Sequence, residues 1–138
     1  MRRTFARIHN ILAWIIFAGC ILQITLISLA YFGAIEVQVH AAGGFFLSIF
    51  ALLMFISSLV VRSSGLNVVL SLAVLLLLIP VQGLLAYTNE LPNAIQGLLG
   101  LNGMLIMGLS YSLATSKIKA TNYEAKTQTA AAEAVAAS

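Results

Sequence analysis

The stretch ILAWIIFAGCILQITLISLAYFG, Ile11 to Gly33, holds no Asp, Glu, Lys, Arg or His anywhere along its length. A helix rises 1.5 Å per residue, so about 20 apolar residues cross a hydrocarbon core of about 30 Å. Lipid offers no hydrogen-bond partner to a bare peptide group, and an uninterrupted run of this length satisfies its own backbone only as a helix. Three more such runs follow, approximately Ala41 to Val61, Asn67 to Thr88 and Ile95 to Ser116. Four helices on short connections lie antiparallel to their neighbours. The expected fold is therefore all-α: an integral membrane four-helix bundle with up-down-up-down topology, residues 1–116, followed by an Ala-rich tail over 117–138.

Composition agrees. The chain of 138 residues is 61% hydrophobic and 8% charged, with a mean hydropathy of +1.03, far from the roughly 25% charged residues of soluble domains. The spans leave room for one bundle and no separate soluble domain.

Charge sets the expected orientation. Arg2, Arg3 and Arg7 precede the first run, Arg62 separates the second from the third, and Lys117, Lys119 and Lys126 follow the fourth; the other two connections carry no Lys or Arg. Basic residues near span ends stay on the cytoplasmic side, which predicts cytoplasmic N- and C-termini in a bacterial inner membrane. The net charge of +3 is split among three segments, so it reads as a topology signal and not as a nucleic-acid surface.

The ends of the runs carry matching chemistry. Arg62-Ser63-Ser64-Gly65 reads as a tight turn with Asn67 as the cap of the third helix, and Asn89-Glu90-Leu91-Pro92-Asn93 reads as a helix stop and restart. Trp14 and Tyr111 mark one interface and Tyr31, Phe32 and Tyr87 the other. Cys20, the single cysteine, follows Phe17-Ala18-Gly19 in a pattern loosely like a lipoprotein processing site. The apolar run continues past it to Phe32, longer than a removed signal, so Cys20 is expected as a buried thiol.

With no ionisable side chain inside any span, proton-coupled transport loses most of its support. Neutral polar residues remain: Gln23 and Thr25, Ser48, Gln82, then Gln96 and Asn102. Gln82 and Asn102 each lie about 9–10 Å inside the end of their helices, so they can meet at one depth. The spacing leaves two readings open, hydrogen bonds between helices or the lining of a small cavity for a quinone, lipid or pigment head group. Gly97, Gly100 and Gly103 on the fourth span, and Gly43 and Gly44 on the second, are expected to let helices approach closely. A flat glycine face receiving a porphyrin or chlorin ring is the alternative. Pro80 should kink the third helix and release a backbone carbonyl near Leu76.

Two histidines raise the question of haem. His9 is expected before the first helix on the cytoplasmic side and His40 at the start of the second on the outer side, so a hydrocarbon core separates them and they do not share an iron. For His40, Met104 lies too deep to be a partner, and the amides of Asn102 and Gln96 are poor haem ligands. Neither histidine has the carboxylate or nucleophile that acid–base catalysis requires, and no enzymatic activity is expected of the chain by itself.

Arg7-Ile8-His9 before the first span, His40 with Gly43-Gly44 at the second, and Leu101-Asn102-Gly103 in the fourth resemble a family of small bacterial and archaeal four-helix membrane proteins of unknown function. Its members often carry a histidine just ahead of that Asn-Gly pair, where Leu99 stands here; if the histidine pair serves metal or haem in them, this chain lacks it. In size and plainness the chain is also similar to accessory membrane subunits of bacterial respiratory or photosynthetic complexes, such as alternative complex III quinol oxidoreductases. These likenesses imply a non-catalytic accessory subunit of an electron-transfer complex, with larger membrane subunits and lipids as partners. The alternative is a small quinone-, haem- or pigment-binding module using His40, Gln82, Gln96 and Asn102. A small transporter or channel is the weakest reading, and no cofactor is required by any residue.

Overall fold

In the computed structural model, the backbone is described for residues 2–61, 63–87, 93–116 and 133, and side chains for all of these except 2, 85–87 and 93–97. Among the described residues every element is a helix: α1 covers Arg2–Tyr31, α2 Val37–Val61, α3 Gly65–Leu76 and, after a π-helical turn at Leu77–Val81, α4 Gln82–Tyr87; α5 covers Asn93–Thr115. Four helices are long and apolar enough to cross a membrane, the third being the continuous segment Gly65–Leu84. This is a multi-pass membrane architecture.

The helix ends follow from local chemistry. α1 stops because Gly33 adopts φ +72°, a conformation that costs glycine nothing. Gly33 N–H then donates to Ala30 O at 3.0 Å and Ala34 N–H to Leu29 O at 2.9 Å, the paired bonds of a Schellman cap. At the start of α3 the cap is Ser64, whose hydroxyl accepts from Asn67 N–H at 3.4 Å. Asn67, expected as the cap, is instead inside the helix and buried. The serine three positions earlier caps the N–H of Asn67 itself, and the Asn residue is buried inside the helix.

α1 neighbours α2 and α5, α2 neighbours α3, and α3 closes the ring against α5. Each helix buries one narrow stripe. On α1 it is His9, Leu12, Ala13, Ile16 and Cys20; on α2 Leu47, Ala51, Met54, Ser57, Ser58 and Val61; on α3 and the π turn Asn67, Ser71, Val74 and Leu78; on α5 Asn102, Ile106, Ser110, Leu113 and Ala114. The spacing of three and four residues is that of neighbours on one helix face. Many are small or polar, while Trp14, Phe45, Phe46, Leu66, Val69 and Leu101 point outward. Small residues inside and large apolar ones outside suit helices that associate in lipid by close packing.

The first helix begins earlier than its apolar run. His9 is not ahead of α1 but within it, fully buried. Its Nε2 lies 3.1 Å from Ser71 Oγ, and Ser71 Oγ donates to Asn67 O at 2.7 Å. Because the serine proton is already used, Nε2 carries the hydrogen and donates, leaving Nδ1 as a bare acceptor with no partner. Tyr111 of α5 packs edge to face on Trp14 at 6.0 Å and tilted on Phe17 at 5.6 Å, which ties α1 to α5. Arg62, the 88–92 connection and Lys117, Lys119 and Lys126 with nearly all of the tail lie outside the described residues, as do the side chains of Tyr87 and Gln96 and the packing around Gly97.

Candidate functional site: a polar cavity between the helices

A cavity of about 350 Å³ lies among α1, α2, the third span and α5, with His40, Gln23, Gln82 and Cys20 in its wall. Its volume falls in the range of small-molecule sites, and its composition, mostly aliphatic with a few polar groups, is also theirs. The apolar wall is Ile24, Ile27, Leu47, Leu78, Leu99 and Ile106. Ile24, Ile27 and Gly100 are lining residues that are also exposed, so the cavity opens on the side of α1 and α5.

Glycines create the space. Gly44, Gly100 and Gly103 all line the cavity, and a Cβ added at any of them would meet nothing within 4 Å. Their missing side chains leave room; they do not bring two backbones together. Gly43 is different. A Cβ there would collide with the amide nitrogen of Gln23, so α2 accepts the Gln23 side chain only because position 43 has none. Gly19, which the sequence reading did not single out, makes the same kind of close approach to Leu47.

His40 sits in the first turn of α2. Its Nδ1 lies 3.2 Å from the backbone oxygen of Gln23. A carbonyl only accepts, so Nδ1 carries the hydrogen and donates, and in the neutral ring Nε2 is left as a lone-pair acceptor. No partner for Nε2 is present among the described residues. On the same wall, the Gln23 Oε1 atom is buried and also without a partner.

The opposite wall is set by Pro80. Proline has no N–H to give, and the helix absorbs this by widening to the π turn at Leu77–Val81, one of the identified ways a helix tolerates such a break. Leu77 O receives the N–H of Gln82 and a second bond from Asn102 Nδ2 at 3.1 Å. The break expected near Leu76 takes the form of a π turn that begins one residue later, at Leu77. The same Asn102 Nδ2 donates to Gln82 Oε1 at 2.7 Å. The two amides therefore meet, and with its oxygen engaged Gln82 keeps its NH2 group for the cavity.

Of the four residues marked by sequence, His40 and Gln82 line the cavity, and Asn102 stands behind Gln82 and orients it. Gln96 lies in α5 with its side chain outside the described residues. Thr25 and Ser48 are satisfied by the carbonyls of Ile21 and Gly44 in the preceding turn of their own helices. The sequence reading did not join Gln23 to this group. Its signal was available, since Gly43-Gly44 one turn from His40 marks where a side chain from another helix enters. His9 takes no part: it lies 14 residues before Gln23 on α1, about 21 Å along the helix, and among the described residues no group of three or more His, Cys, Asp and Glu is placed to hold a metal ion. No family model, curated protein or solved structure matches this chain.

Proposed function

We propose that this chain is a membrane-embedded binding module for one small lipophilic molecule, held by its polar head against His40, Gln23 and Gln82. The observation that carries the reading is the cavity itself: three glycines leave it open, and polar groups on two facing walls retain unused hydrogen-bonding capacity. A bundle that served only as packing material would gain from filling that volume, because voids forfeit dispersion contacts. This reading therefore stands ahead of a purely structural accessory role, and it is compatible with membership of a larger electron-transfer assembly. A quinone, lipid or pigment fragment suits the aliphatic wall. Haem is a poorer fit, since His40 offers a single imidazole and the second histidine lies far along α1.

The distribution of Lys and Arg supports an up-down-up-down course with both termini in the cytoplasm of a bacterium. In that orientation His40 and the cavity belong to the outer half of the membrane, where the ligand enters from lipid through the opening beside Ile24 and Ile27. Organic extraction of the purified protein tests the reading. Near-stoichiometric lipophilic compound is expected from the wild type and little from Gly103→Leu, which puts a side chain into the open volume. Equal recovery from both would refute it.

A further inference from the structure

We infer that the head group this cavity selects is a hydroxyl, an alcohol or phenol, in preference to a carbonyl or an ether. The inference rests on the binding reading above and deepens it. The polarity of each wall is fixed by bonds made away from the cavity. His40 Nδ1 donates to Gln23 O at 3.2 Å, so the nitrogen left for a ligand, Nε2, is an acceptor. Asn102 Nδ2 donates to Gln82 Oε1 at 2.7 Å, so what Gln82 offers is the N–H donor.

A ligand that leaves His40 Nε2 without a donor leaves an acceptor on the cavity wall unsatisfied, a cost larger than the gain from a neutral hydrogen bond. A carbonyl or ether oxygen answers only Gln82. A hydroxyl answers both walls: its O–H donates to His40 Nε2 and its oxygen accepts from Gln82 N–H. Sites built around such pairs reject the analogue that lacks the hydrogen, because their own polar groups are then left bare. For a lipophile that exists as a two-electron couple, the same arithmetic favours the dihydroxy, reduced form over the dicarbonyl, oxidised one.

Three probes of matched tail decide the matter on the full chain in detergent or nanodiscs: 4-octylphenol, 4-octylanisole and 4′-octylacetophenone. The phenol should bind at least about ten-fold more tightly than the ether or the ketone, a size in keeping with one donor bond and one rescued acceptor. In His40→Leu the three should converge, and Gln82→Leu should weaken all of them. If the ketone or ether equals the phenol on the wild-type protein, the hydroxyl assignment fails while the cavity reading stands. If none of the three binds, both fail. A preference for phenol that persists undiminished in His40→Leu would overturn the role given to His40. The wild-type comparison decides without the variants, so a variant that does not fold leaves the result intact.

Discussion

At the scale of single residues, one amide does more than its position in an apolar helix implies. Asn102 is buried and uses its NH2 group twice, on Leu77 O and on Gln82 Oε1. The first bond occupies a carbonyl in the turn that Pro80 distorts, and the second turns Gln82 so that its donor faces the cavity. Hydrogen bonds between membrane helices average about 0.6 kcal/mol and reach about 1.7 kcal/mol, so Asn102→Leu should lower unfolding stability by about 1–2 kcal/mol. It should also abolish ligand retention, because Gln82 is released to rotate. Denaturation in mixed micelles measures the first effect and ligand recovery the second; unchanged stability would show that the two bonds are not formed. The sequence made this meeting legible, since depth follows from counting residues in a helix. It did not make the direction of the bonds legible, because an amide presents both a donor and an acceptor and only its neighbours decide which faces where.

At the scale of elements, glycine is ambiguous in sequence and unambiguous in place. Small residues at helical spacing are read alike whether they admit a neighbouring helix or leave a void. Here they divide. Gly19 and Gly43 abut Leu47 and Gln23, whereas Gly44, Gly100 and Gly103 face open space. Alanine at Gly19 or Gly43 should destabilise by about 1–3 kcal/mol through overpacking. Alanine at Gly44, Gly100 or Gly103 should be neutral or stabilising by about 0.5–1 kcal/mol, the ordinary advantage of Ala within a helix. A stability scan over the five positions checks the division, and uniform losses would contradict it. The spans themselves were close to readable: the first helix ends at Tyr31, two residues before the expected Gly33, and the fourth differs by two residues at its start and one at its end. The second starts at Val37, four residues before its apolar run, because Val37 to His40 are helical by local geometry although half of them are polar. His9 was misplaced for a similar reason. The three Arg residues around it suggested a solvated end, yet His9, Leu12, Ala13, Ile16 and Cys20 already share one face, and that stripe carries the core as far as His9, about two turns into α1.

At the scale of the whole molecule, the described residues form an outer surface of large apolar side chains around a core of mixed aliphatic, small and polar residues, with a mostly aliphatic cavity that carries a few polar groups. The orientation proposed for the chain rests on seven basic residues on one side of the hydropathy pattern. Reporter fusions after residues 35, 64, 90 and 138 should report outside, inside, outside and inside in turn; an outside C-terminus would reverse the account of where the ligand enters. The cavity claim is separable from orientation and is tested most directly by photolabelling. A small diazirine-bearing alkylphenol, irradiated with the wild-type protein and mapped by peptide mass spectrometry, should mark residues 20–27 of α1 and 99–106 of α5, with loss of that labelling under excess 4-octylphenol. Labels scattered over outward-facing residues such as Phe45, Leu66 and Val69, and insensitive to competitor, would contradict a ligand site within the helices.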